Sequence, residues 1–252
     1  MNPILGGWCG ILLSETELLV GQKQSYRSQI AFELYQLPGS SRRTAPRTQF
    51  QLPFPNHLQD WQSVYCFSPT SHAAAGGSMA QSNSITFICP TFHLLAFRFR
   101  AAAPSAIQVD LFLLVDRLRN YVHLGEVVPW EVWGPHTTRI FKGELSPYWR
   151  RNIHGFRALI PNRNTVIDFN SNLWMEGDPG VVTQASRMTI ELPHRGAFSI
   201  TSALPYRALR STRPFGSEFA LLGNDIVCIN VCLSPSILCH IGVHYSPEGY
   251  ER

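Results

Sequence analysis

Charge is scarce in this chain, and lysine scarcer still. Only 15% of its 252 residues are charged, and of the 21 basic side chains just two, Lys23 and Lys142, are lysines. Long solvated helices, which depend on plentiful Lys and Glu, are therefore disfavoured. No apolar run approaches the length that a bilayer-spanning helix needs, so no membrane segment is expected. The N-terminus, Met1-Asn2-Pro3-Ile4-Leu5, lacks the basic start of a secretory leader, and no Asn-x-Ser/Thr acceptor occurs. With six cysteines, that pattern predicts reduced thiols inside a cell, in the cytoplasm or nucleus.

Catalytic signatures are missing too. There is no Gly-x-Ser-x-Gly elbow, no phosphate-binding Gly-x4-Gly-Lys-Ser/Thr loop, no Gly-x-Gly-x-x-Gly turn and no zincin helix. Gly76-Gly77-Ser78 is a lone run in a connector. No cofactor is expected. The net charge of +4 is carried by arginines scattered as Arg42-Arg43, Arg98 and Arg100, Arg117 and Arg119, Arg150-Arg151, and Arg207, Arg210 and Arg213. Such scatter, without a recognisable module, reads as ordinary surface pairing and predicts no nucleic-acid face.

What is present is turn chemistry and short apolar segments. Glycine and proline number 18 each, and 44% of residues are hydrophobic, enough to bury a sizeable core. Gln29 to Leu37, which alternates apolar with polar from Ile30 through Leu34, predicts an antiparallel hairpin with Leu18-Leu19-Val20. Residues 38–60 and 68–84 read as flexible loops, the first with one short strand near Gln49 to Leu52. Ser63 to Phe67 reads as a strand; Ile85 to Cys89 and Leu94 to Arg100 read as a hairpin turned at Pro90-Thr91. Leu111, Leu114, Val115, Leu118 and Val122 recur at helical spacing, and with Asp110 as N-cap they predict one amphipathic helix over 109–122. Further hairpins are expected at Gly155–Ile160 with Thr165–Asn170, around Pro161-Asn162-Arg163-Asn164, and at Phe219–Leu222 with Ile226–Val231. Met188 to Leu192 is a further strand.

The stretch Pro129-Trp130-Glu131-Val132-Trp133-Gly134-Pro135 places two tryptophans and two prolines within seven residues. Proline removes a donor and restricts its predecessor, so the segment predicts a pinned aromatic corner outside any helix. Asp168 belongs to the same structural group in this reading. Trp130 and Trp133, with Arg139, Arg150, Arg151 and Arg207, are the candidates for gripping a partner, because large aromatics and arginine dominate binding surfaces; at least one tryptophan is expected to be buried.

Cys228, Cys232, Cys239, His240 and His244 are a weak metal candidate, since their C-x3-C-x6-C-H-x3-H spacing lacks a C-x2-C pair and cysteine in an apolar strand behaves as a small hydrophobe. No metal is expected. His154 and Asp168 could meet across a hairpin as an acid/base pair, but the favoured reading is structural, with Asp168 bonding turn amides and His154 packing or capping. Glu176 and Asp178 flank a glycine and precede Pro179-Gly180, which is turn chemistry.

Phe112-Leu113-Leu114-Val115 with Tyr121-Val122, then Pro129 to Pro135, Thr138-Arg139, His154-Gly155-Phe156-Arg157, Ile167-Asp168-Phe169-Asn170 and Ser202-Ala203-Leu204-Pro205-Tyr206-Arg207 together resemble F-box-type proteins of mushroom-forming fungi, in the part C-terminal to their F-box. The resemblance covers roughly residues 15 to 230. It implies a WD40-like, propeller-type β domain that recognises other proteins, joined in full-length relatives to an F-box that docks onto a ubiquitin-ligase adaptor. This chain begins within the β region without an F-box segment, so adaptor docking is expected only if that segment is supplied upstream.

The expectation is thus an all-β, propeller-like and open domain over 1–230 with one inserted helix and a divergent tail over 231–252. Its function is expected to be non-enzymatic protein binding. The alternative is a small-molecule or carbohydrate-processing enzyme using carboxylates near Asp168 and Glu176.

Overall fold

The computed structural model describes residues 7–14, 16–24, 29–37, 46–54, 61–67, 85–87, 94–101, 107–123, 125–143, 153–160, 164–175, 177–192, 196–210, 218–222, 225–234 and 237–245. Strands dominate, and two α-helices interrupt them among the described residues. The chain divides into two compact units, Met1–Gly143 with Ala185–Leu204, and Glu144–Gln184 with Pro205–Arg252.

The first unit opens with β1 (Gly7–Ser14), β2 (Glu17–Gln24), β3 (Gln29–Gln36) and β4 (Pro46–Gln51), each antiparallel to the next. The expected β2–β3 hairpin is present, with Glu17 opposite Gln36 and Gln24 opposite Gln29. A second sheet follows. It contains β5 (Trp61–Phe67), then, after the three-residue β6 (Ile85–Phe87), β7 (Leu94–Ala101) and β8 (Gln108–Leu114). The chain continues through α1 (Val115–Arg119), β9 (Val127–Val128), α2 (Trp130–Thr137) and β10 (Thr138–Lys142). The sheet orders are β6-β1-β2-β3-β4-β9 and β10-β8-β7-β5.

The hairpin expected between residues 85–89 and 94–100 does not form. β6 lies parallel to β1 instead, while β7 is flanked by β5 and β8. Both edges of β7 are filled by long antiparallel ladders, so a three-residue strand has no edge left to take.

The helix expected over 109–122 is also corrected. Its first half is β8, and only Val115–Arg119 is helical. From Val109 to Leu114 every residue of β8 is buried. Val109, Leu111 and Leu113 enter the main core, while Asp110, Phe112 and Leu114 are buried on the opposite face. A strand covered on both faces has no alternating pattern to betray it, so its apolar run can be mistaken for a helix. Asp110 caps nothing; it lies opposite Arg98 in the ladder, and Arg98 donates to both its oxygens, Nε to Oδ1 at 2.7 Å and Nη2 to Oδ2 at 3.1 Å.

The core of this unit is aromatic. Phe32 and Phe97 lie 4.4 Å apart by ring centroid, as do Phe54 and Phe99, and Phe50 meets Trp133 edge-on at 5.4 Å. Such tilted contacts add about 0.5–1.5 kcal/mol each beyond the buried area.

The second unit holds β11 (Ile153–His154), β12 (Arg157–Ile160), β13 (Thr165–Asp168) and β14 (Val181–Val182). The first unit then contributes β15 (Ser186–Leu192) and β16 (Gly196–Ser202), and the chain returns to the second with β17 (Tyr206–Arg210). Three strands end it: β18 (Glu218–Leu222), β19 (Asp225–Ser234) and β20 (Ile237–Tyr245). The sheet orders are β11-β12-β13-β17-β14, β15-β16 and β18-β19-β20. The hairpins expected at 155–170 and 219–231 form, with Ile160 opposite Thr165 and Leu222 opposite Asp225. The boundary expected at residue 230 falls inside β19, which continues to Ser234 and pairs with β20.

The all-β expectation holds. The sheets are mainly antiparallel, none closes into a barrel among the described residues, and they are consistent with an open propeller-like fold. Two short parallel pairings, β1 with β6 and β4 with β9, are the exceptions. No helix among the described residues is long and apolar enough to cross a membrane.

Candidate functional site

Two segments hold most of the sequence-predicted residues, and they are built in opposite ways. The first is the tryptophan corner. It is helical, which corrects the expectation that Pro129 and Pro135 exclude a helix. Pro129 stands at the N-cap with φ −69° and ψ 154°, where no amide hydrogen is needed. Pro135 enters only in the last turn and forfeits one bond. The carbonyls stranded at that end are satisfied from outside the helical ladder. Thr137 Oγ1 donates to Trp133 O at 2.8 Å and Thr138 Oγ1 to Gly134 O at 2.6 Å. Ala203 N donates to Pro135 O at 2.6 Å, and Arg117 Nη1 to His136 O at 3.2 Å.

Both tryptophans face inward. Trp133 is fully buried and donates its indole N–H to Gln51 O at 3.0 Å; Trp130, also buried, meets it edge-on at 5.0 Å but has no acceptor for its own N–H among the described residues. Gly134 fits beneath the Trp130 ring, and any Cβ there would overlap the indole. Burial removes both side chains from the candidate partner surface. Arg139 leaves it for the same reason, being buried in β10 opposite Phe112. An aromatic pair inside a short helix packs against the sheet it covers, and that outweighs exposure.

The second segment lies in the other unit, between β13 and β14. Asp168, grouped above with Pro129, Gly134 and Pro135, belongs here. It is buried, accepts from Arg157 Nε at 3.1 Å and from the Asn170 amide at 2.9 Å, and has Arg207 Nη2 3.9 Å away. The turn-amide role expected of it is observed. Arg207 is half-buried and donates through Nη1 to Asp178 at 3.0 Å, so its charge is directed inward. In the ladder His154 lies opposite Arg157, and Arg157 lies opposite Asp168. The arginine, not the histidine, is therefore the ladder neighbour of that carboxylate.

The chain leaving Asp168 is held at nearly every step. Phe169 N donates to Phe156 O at 3.0 Å, Leu173 N to Asn170 O at 3.1 Å, and Met175 N to an Asp178 oxygen at 3.0 Å. Ala208 N donates to Gly180 O at 2.8 Å, and Gly180, at φ +80°, approaches the Ala208 carbonyl too closely to carry a side chain. On this fixed loop Trp174 is half-buried while its neighbours point out: Leu173 is 59% exposed and Met175 71%. Sequence reasoning missed both. The only signal was an apolar triplet, Leu173-Trp174-Met175, set among turn residues.

Arg150, Arg151 and Glu176 lie outside the described residues. The cysteine and histidine candidates sit in β19 and β20, with Cys232 opposite Cys239, Cys228 opposite Val243, His240 opposite Val231 and His244 opposite Val227. Among the described residues no three His, Cys, Asp or Glu converge as a metal site.

The fold and these two segments define an open, all-β chain that presents apolar side chains on an ion-paired loop. No family model, curated protein or solved structure matches it.

Proposed function

We propose that this chain is a non-enzymatic protein-interaction module whose gripping surface is the loop carrying Leu173 and Met175. One observation carries the reading. Two large apolar side chains stand in solvent on a backbone fixed by Asp178, Arg207 and successive turn hydrogen bonds. Ordering such a loop in advance lowers the entropy lost on binding, which is how a small apolar patch gains affinity. The resemblance to the region beyond the F-box in fungal F-box-type proteins supports the same role. On that basis the partner is a protein substrate presented to a ubiquitin ligase in the cytoplasm or nucleus, with the adaptor engaged only through an F-box supplied upstream.

The carboxylate-enzyme alternative has less support. Asp168 is buried between arginines and a backbone amide, whose contacts occupy its oxygens in structural bonds.

The test is affinity capture from cells of the source, comparing the full chain with a Leu173→Asp/Met175→Asp variant of unchanged thermal stability. Partners retained by the first and lost by the second are expected. An identical partner set, or none with either chain, would refute the assignment.

A further inference from the structure

The β15–β16 hairpin forms a sheet of its own, with Ile140 N of β10 donating to Ser202 Oγ of β16 at 3.1 Å. It is two strands only, with Ser186 opposite Ser202 and Leu192 opposite Gly196, and β15 pairs with no other strand among the described residues. One face packs on the core through Ile190 and Ile200, with Met188 and Phe198 partly buried against it. The other face is polar and exposed, and on β15 it presents Arg187, Thr189 and Glu191.

Arg187 and Glu191 have no ion pair among the described residues. Within one strand they are four residues apart, about 13 Å, too far to meet. Across the ladder they face only Thr201 and Ala197, which are uncharged. Opposite charges at such spacing find partners if the strand meets itself running the other way.

We propose that β15 is a self-pairing edge, joining two copies of this chain through an antiparallel ladder centred on Thr189. Two independent features select that register. Thr189 is the midpoint of Ser186–Leu192, so pairing about it uses the whole strand. The same two-fold places Arg187 of each copy opposite Glu191 of the other, giving two opposite-charge pairs from one symmetric contact. The buried parity agrees as well: Met188 falls opposite Ile190 of the second copy, extending the apolar face instead of flipping it. Shifting the axis to Met188 or Ile190 sets Thr189 against a charge and shortens the ladder. An unpaired edge of this length is a ready template for another strand, and this one carries no proline or lysine to blunt it. The inference does not depend on the loop at Leu173, so either can fail alone.

The experiment is sedimentation of the full chain over a range of concentrations, with Arg187→Glu, Glu191→Arg and the double reversal. The wild type should dimerise. Each single reversal creates two like-charge pairs and should weaken the dimer by about tenfold or more, and the double reversal should restore it to within about threefold. Because both positions are exposed, thermal unfolding of the variants should stay near that of wild type. Concentration-dependent protection of amides 186–192 from hydrogen exchange should track the dimer. A wild type that stays monomeric up to about 100 μM, whether its edge is bare or taken by a foreign strand, overturns the proposal. So does a dimer that single reversals leave intact.

Discussion

The tryptophan corner and the loop after β13 use similar residues to opposite ends. Each is a short stretch with tryptophan, proline and glycine, one a two-turn helix and the other a loop, and each is fastened by side-chain hydrogen bonds to backbone carbonyls or amides. At the corner the aromatics go in: Trp130 and Trp133 fill the space between α2 and the sheet, and what remains outside is Glu131, Val132 and His136. At the loop the charges go in: Asp168, Asp178 and Arg207 hold the backbone, and Leu173 and Met175 are left in solvent. The lesson is that an aromatic-rich motif in a sequence marks a place where the fold is fixed, and the binding surface is better sought where buried charge frees apolar groups to face outward.

That contrast can be broken from the inside first. Trp133→Ala removes the largest fully buried side chain of the first unit's core and should cost about 3–5 kcal/mol, measured by chemical denaturation. Arg98→Ala strands the buried Asp110 carboxylate and should cost about as much, about 3–5 kcal/mol; Arg98→Met with Asp110→Leu should recover most of it, because the loss comes from an uncompensated charge. Gly134→Ala sets a methyl against the Trp130 ring, with an expected loss of about 1–3 kcal/mol in the same assay. The two tryptophans can then be told apart. Trp133→Phe loses the bond to Gln51 O and Trp130→Phe loses none, so the first should be the more costly by about 1 kcal/mol. Smallest of all, Leu173→Ser and Met175→Ser should change stability by less than about 0.5 kcal/mol, since neither side chain is packed.

Where a polar residue or turn chemistry interrupts an apolar run, the sequence was legible. β3 is buried on both faces from Ile30 to Leu34, but Glu33 and Gln36 break its apolar run, and the β12–β13 and β18–β19 hairpins declare themselves through Pro161 to Asn164 and through Gly223-Asn224. β8 was illegible because both its faces are covered, which erases alternation and lets 3.6-residue coincidences dominate. The parallel pairing of β6 with β1 joins residues far apart in the chain, and no local pattern encodes it. For the candidate site, Trp130 and Trp133 announced the corner but not its helix, because proline rules speak for helix interiors and both prolines sit near the ends. Arg139 and Arg207 look like surface cations by type; only the fold shows one buried and the other turned toward carboxylates. Leu173 and Met175 carry no period at all, and their exposure follows from the turn geometry around Asp178.

The most direct measurement is quantitative binding of a captured partner to the full chain against two variants of equal stability, Leu173→Asp/Met175→Asp on the loop and Val132→Asp on the exposed side of the corner. Binding lost with the loop variant and kept with the corner variant is the predicted result. Binding that survives the loop change, or disappears with Val132→Asp alone, would contradict it.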